Sequence, residues 1–328
     1  MSPDTRQHAL EQWLARCDCP TTGPLTIASA DASARRYFRV PTRDGPRIAM
    51  DAPPEREETR AFVDVAHRLA RAGVHVPTME AHDPERGFVL MSDFGDTNYL
   101  DRLSAEDGRA LIDAAIDTLV RMQACARTAG LGTYDTERLG AELDLFPQWY
   151  VRTHVGYEPD PAWWRLWHAV RATLIERALA QPRVFVHRDY MARNLMVTTP
   201  CPGVLDFQDA LAGPITYDLA SLLRDAFASW EAADEQRWIA RYRAAARSAG
   251  LPVGDDARAF DADLAHMGAQ RHLKVLGIFA RLCHRDGKPH YIADAPRFRG
   301  YLAAEASAAA SLQPIQRLLQ PLTAEAPS

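Results

Sequence analysis

Apolar residues in the first part of the chain recur with two different periods. From Leu25 to Val40, and again from Arg47 to Met50, β-branched and aromatic residues are bounded by Gly, Pro, Asp and Ser. That pattern predicts short strands joined by turns. From Glu57 to Ala72 the period changes, with Phe62, Val65, Ala66 and Leu69 falling at i, i+3, i+4 and i+7 before Gly73. This is the spacing of a helix with one buried face. Phe88-Val-Leu-Met91 predicts a buried strand, and the turn chemistry of Ser92-Asp-Phe-Gly-Asp96 after it reads as a hinge.

Beyond that point the pattern predicts long helices over Glu106 to Thr128, Pro161 to Ala180, Ser221 to Gly250 with at least one break, and Phe260 to Arg285. A single β-like island interrupts them, made of Arg183 to Val186, Asn194 to Val197 and Gly203 to Asp206. Strands first and helices later indicate a two-lobed α+β protein, with an antiparallel-sheet N-lobe over residues 1–91 carrying one helix, and a mainly helical C-lobe over 92–328. Trp163, Trp164 and Trp167, at helical spacing, read as core rather than as a stacking platform.

Composition narrows the function. At 328 residues the chain can bury two lobes, and 47% hydrophobic with 25% charged residues is ordinary for a globular protein. A net charge of −5 supplies no footprint for nucleic acid or for an anionic membrane. The five cysteines are scattered and odd in number, which argues against both a disulfide framework and a zinc site. The N-terminus lacks the apolar stretch of a signal peptide and no run of about 18 apolar residues occurs, so the expected location is the cytoplasm.

The candidate chemistry lies in His187-Arg-Asp-Tyr-Met-Ala-Arg-Asn194, which matches the kinase catalytic loop H-R-D-x-x-x-x-N at every specified position. Asn occurs only at 98 and 194, so composition does not generate the match. Asp206-Phe207 follows the apolar Gly203-Val-Leu, where a kinase places its second metal-binding Asp. Phosphoryl transfer leaves little covalent work to the protein, which must hold the nucleophile in line and neutralise phosphate charge. Asp189 is therefore the expected base, with ATP as donor. Asn194 and Asp206 are the expected ligands of Mg²⁺, a hard cation that prefers oxygen, while His187 and Arg188 brace the loop.

These motifs resemble the aminoglycoside phosphotransferase and choline kinase superfamily, which has a protein-kinase-like fold; Gly213-Pro-Ile-Thr-Tyr-Asp218-Leu-Ala resembles its segment after the metal Asp. The strings Asp31-Ala-Ser-Ala-Arg-Arg-Tyr-Phe-Arg39, Met50-Asp-Ala-Pro-Pro54, Leu145-Phe-Pro-Gln-Trp-Tyr150, Asp206-Phe-Gln-Asp-Ala210 and Arg271-His-Leu-Lys-Val-Leu-Gly-Ile-Phe-Ala-Arg281 carry a narrower likeness. They resemble the bacterial kinases that phosphorylate the anomeric hydroxyl of N-acetylmuramate and N-acetylglucosamine in cell-wall recycling, over roughly residues 25–300. The resemblance implies adenine against the hinge at Met91 and Phe94, and an amino sugar near Trp149, Tyr150, Gln208 and Asp209.

The chain departs from the superfamily in one respect. A Lys on the third strand usually holds the α- and β-phosphates and pairs with a Glu on the next helix. Here the only lysines are Lys274 and Lys288, and Met50 and Phe62 stand where that pair belongs. Ser33, Arg35 and Arg36, beside the glycine-free loop Ser29 to Ala34, are the candidate phosphate-binding replacements, with Arg39 next to them. Gln208 occupies the Gly position of D-F-G. From Arg271 to Arg299 five Arg and two Lys face Asp286 and Asp294, a local excess of cations that suits an acidic sugar better than a polycationic antibiotic. The rival expectations are an aminoglycoside or amino-alcohol kinase, and a nucleotide-binding pseudokinase or interaction module. Oligomeric state is not legible in the sequence.

Overall fold

The computed structural model describes residues 3–17, 19, 21–30 and 35–323; Ser33 lies outside them. In chain order the elements are α1 (Pro3–Leu14), β1 (Thr26–Ala30), β2 (Arg36–Val40), β3 (Arg47–Asp51), α2 (Thr59–Arg71), β4 (Met79–Asp83), β5 (Phe88–Ser92) and α3 (Gly108–Cys125). There follow α4 (Thr136–Leu143), α5 (Pro161–Ala180), β6 (Arg183–Val186), β7 (Leu195–Met196), β8 (Gly203–Val204), β9 (Leu211–Pro214) and α6 (Tyr217–Leu223). The last helices are α7 (Ala232–Ser248), α8 (Ala257–His284), α9 (Ala295–Ala308) and α10 (Pro314–Leu319). The chain divides into an N-terminal unit, residues 1–115 with 193–209, and a helical unit, residues 116–192 with 210–328.

The N-terminal unit is built on an antiparallel sheet in the order β1-β2-β3-β5-β4. Side chains alternate across a strand, so each face has its own membership. Phe38, Val40, Ala49, Phe88 and Leu90 form one face and pack against Leu10, Trp13 and Leu14 of α1. The sequence reading gives this lobe one helix, α2; α1 is a second, whose few apolar positions are too sparse for a periodicity argument. An ion pair also holds α1 to the sheet, with Arg6 Nε donating to the fully buried Asp51 at 2.7 Å while Arg36 Nε donates to its other oxygen at 3.0 Å. α2 buries the expected Phe62, Val65, Ala66 and Leu69.

The expected β-island is two sheets. β7 pairs with β8 in the N-terminal unit, whereas β6 pairs with β9 in the helical unit. β9, Leu211-Ala-Gly-Pro214, carries Gly and Pro and so has no strand signature. β7 is anchored to the rest of its unit by Tyr99 N donating to Leu195 O at 2.7 Å and Val197 N to Thr97 O at 2.9 Å. In the helical unit α8 is the central element, packed by α4, α5, α6, α9 and the stretch Phe146–His154. Accordingly it is buried on nearly every side from Leu264 to Lys274. α5 starts as expected at Pro161, where Asp160 Oδ1 accepts from Trp163 N at 2.7 Å; Trp163 and Trp167 are core and Trp164 is half-buried.

Candidate active site

The second face of the N-terminal sheet lines a cavity of about 360 Å³, within the range of small-molecule sites. Tyr37 and Arg39 share that face of β2, and Ile48 on β3 and Met91 on β5 continue it. Phe62, Phe94, Asn194, Asp206 and Phe207 complete the part of the wall that matters here. Phe62 meets Phe207 with ring centroids 5.0 Å apart, and Met50 is fully buried, so the positions of the missing Lys and Glu are both apolar. Gly203 makes room for the wall, because a Cβ there would lie 2.6 Å from the Phe94 ring.

Arg39 and Arg193 are arginines of this wall among the described residues. Arg39 is fixed by the hinge: its Nε donates to Asp93 Oδ2 at 2.5 Å and its Nη2 lies 2.7 Å from Asp96 Oδ1. Those hydrogen bonds hold its pKa above the usual arginine range. Arg35 pairs with Glu57 at 2.7 Å and Arg36 with Asp51. The turn acids Asp93 and Asp96 have no role in the sequence reading; the acid-rich hinge string was their only signal.

Asn194 and Asp206 come together across the β7–β8 pair. Leu205 N donates to Asn194 O at 2.9 Å, and Asn194 Nδ2 donates to Asp206 Oδ2 at 3.3 Å. Gln208 Nε2 donates to Asp206 Oδ1 at 2.7 Å, while Gln208 Oε1 is buried with no hydrogen-bond partner among the described residues. Asp206 has φ +62°, a left-handed conformation that Asp tolerates. A divalent cation fits this group, since it offers a carboxylate, an amide carbonyl and an orphaned amide oxygen, all hard donors. The described residues hold no cluster of three or more His, Cys, Asp or Glu that could hold a metal ion.

Asp189 belongs to the helical unit, in the loop after β6. Arg188, before it, has φ +78°, costly for a long side chain. Two devices hold it. The buried Asp218 accepts from His187 N at 2.7 Å and Arg188 N at 3.0 Å, and Glu142 takes the Arg188 guanidinium at 2.7 Å. Glu142 also pairs with Lys274 at 2.9 Å and accepts from Gln270 at 3.2 Å and from Tyr134. Burial opposes its charge, but Lys274 and Arg188 win, and its pKa is lowered to about 2. Asp218, sealed from water, is pushed up to about 7 by burial, against the pull of the two N–H groups and Arg271.

The acceptor candidates fall in different places. Trp149 and Tyr150 lie in the wide π-type helical stretch Phe146–His154, a geometry frequent at functional sites. Trp149 is half-buried; Tyr150 is buried and stacks on Phe146 at 5.6 Å, and burial raises its pKa against the opposing pull of Arg299. Asp209 is exposed, next to Gln208 in the N-terminal unit. The basic segment is not a solvated face at its start, because Arg271 and Lys274 are buried.

A five-stranded antiparallel sheet over a cavity, a loop-borne Asp after β6 and an Asn–Asp pair on a small hairpin define a protein-kinase-like phosphotransferase. A choline/ethanolamine kinase family protein of Mesorhizobium loti has the same fold, with a TM-score of 0.67 at 16% identity over 93% of this chain and 98% of that one. The sequence profile of the Phosphotransferase enzyme family matches residues 24–260, and the chain belongs to that family. An N-acetylmuramate/N-acetylglucosamine kinase of Pseudomonas putida is 50% identical over 280 residues, 85% of this chain and 83% of that protein. A protein of the same description from Pseudomonas aeruginosa is 45% identical over 333 residues, 98% of each chain.

Proposed function

We propose that this enzyme transfers the γ-phosphoryl group of ATP to the anomeric hydroxyl of N-acetylmuramate and of N-acetylglucosamine, in the salvage of cell-wall sugars. The observation that carries the reading is an intact H-R-D-x-x-x-x-N loop, held by Asp218 and Glu142, in a chain 45% identical over 98% of its length to a kinase of that description. Asp189 accepts the proton of the acceptor hydroxyl. An anomeric hydroxyl is more acidic than an ordinary alcohol because the ring oxygen withdraws charge, so a carboxylate suffices as base. Asn194 and Asp206, with Gln208 beside them, would hold Mg²⁺, which supplies charge neutralisation on the phosphates. Met91 and Phe94 form the adenine side of the cavity, and Arg39 is its phosphate- or ribose-facing cation. Trp149, Tyr150, Gln208 and Asp209 are the residues proposed for the sugar.

The test is to supply ATP and each sugar and read the product by phosphorus NMR. The expected product has an anomeric phosphate coupled to the C1 proton and labile to mild acid. Phosphate on C6, or aminoglycosides as the better acceptors, would overturn the sugar assignment and leave the phosphotransferase intact.

A further inference from the structure

The loop 187–192 is gripped at both ends by carboxylates that flank one short helix. Asp218, in the first turn of α6, takes the N–H groups of His187 and Arg188. Asp225, just past the end of α6, takes Ala192 N at 3.0 Å and Phe227 N at 3.1 Å. Both side chains are sealed from water, and burial raises both pKa values. Asp189, a third carboxylate, raises Asp218 further. Two buried carboxylates and a neighbouring third are stabilised in their charged form by a cation, since an uncompensated buried charge is strongly destabilising.

Arg271 of α8 is the cation in the right place. It is only 4% exposed, its guanidinium covers the Tyr217 ring at 5.5 Å, and it draws down the pKa of both Asp218 and Asp225. Its Nε has no hydrogen-bond partner among the described residues. A buried guanidinium held over the ring of Tyr217, the residue next to Asp218, with a donor unused, is placed for its charge rather than for one directed bond.

We propose that Arg271 is a positioning residue for phosphoryl transfer, the shared counter-cation of the two buried carboxylates that clamp the ends of the loop bearing Asp189. The proposal rests on the reading of Asp189 as base. A loop relaxed by about 1 Å at its base costs turnover on the order of a hundredfold while leaving substrate binding largely intact.

The experiment compares full-length Arg271→Met, Asp225→Asn and the double variant, measuring kcat and KM for ATP and for N-acetylglucosamine. Arg271→Met is expected to lower kcat by at least about tenfold with both KM values within about threefold of wild type. Adding Asp225→Asn, which removes one anion and keeps a carbonyl for Ala192 N, is expected to restore part of that loss. A rise in acceptor KM at unchanged kcat would mean that Arg271 touches substrate, and a double variant no better than Arg271→Met would sink the charge account. Should Arg271→Met fail to fold, the same account requires the double variant to fold; failure of both overturns it. Asp189→Asn run alongside separates the two readings. Wild-type turnover there removes Asp189 as base whatever Arg271 does, whereas an inactive Asp189→Asn beside an unimpaired Arg271→Met removes only the clamp.

Discussion

Arg188 and Asp206 are the non-glycine residues with positive φ among those described, and both lie in the motifs that carry the chemistry. For Arg188 the conformation costs on the order of 1–3 kcal/mol, which the Asp218 and Glu142 contacts offset. The loop is thus set before any substrate arrives, and the residue after Arg188 is the proposed base. Replacing Asp189 by Asn is expected to lower turnover by about two or more orders of magnitude and leave ATP affinity nearly unchanged, read by steady-state kinetics and nucleotide titration. Arg39 makes a second case, because it lines the cavity wall and Arg35 and Arg36 are not among the wall's residues. Arg39→Ala is expected to raise the Michaelis constant for ATP at least about tenfold, some 1.4 kcal/mol, with Arg35→Ala closer to wild type. Equal effects would favour Arg35 as a phosphate-binding residue alongside Arg39. His187, Asp189, Asn194 and Asp206 were legible because the chemistry fixes their spacing in sequence. Asp218, Asp225, Glu142 and Arg271 act on the same loop from 30 or more residues away in sequence, where no spacing rule applies.

At the scale of elements, Glu142 joins α4 to Lys274 and Gln270 of α8 and to the catalytic loop. Its folded pKa of about 2 lies below the ordinary 4.5. A depressed carboxylate contributes stability that is present above the unfolded pKa and lost as pH falls through the folded one. The window is therefore pH 4.5 down to 2, and the contribution is on the order of 3 kcal/mol. Glu142→Gln is expected to lower the melting temperature at neutral pH and to flatten its decline between those pH values. Asp218 acts with the opposite sign, since its raised pKa removes stability as pH climbs from about 4 to 7, and the two effects barely overlap. α5 could be read from end to end because a capping Asp and Pro open it and its length is uninterrupted. β4, with a single strongly apolar residue, and the π-type stretch, which shares the composition of an ordinary helix, left no such trace.

At the scale of the molecule, the chain passes between its two units at 115/116, 192/193 and 209/210. The crossing at 192/193 falls inside the catalytic motif, assigning Asp189 to the helical unit and Asn194 with Asp206 to the N-terminal one. No linear reading locates such a crossing, since the segment 193–209 is tied to its unit by contacts as distant as Val204 N to His75 O at 2.8 Å. A fragment of residues 1–115 keeps the five strands but loses Asn194, Asp206 and Phe207 from its cavity wall. It is expected to show no measurable ATP binding by calorimetry, and full-length affinity in that fragment would show that 193–209 contributes nothing to the nucleotide.

The same interruption has a consequence in time. A ribosome that has released residue 115 must add roughly ninety more before the segment 193–209 is finished, which takes on the order of 5–20 s. Throughout that interval Phe62 of α2 waits without Phe207, and its ring lacks the partner that covers it in the finished unit. Codon choice between positions 116 and 192 therefore sets how long the half-made unit waits for the segment that completes it.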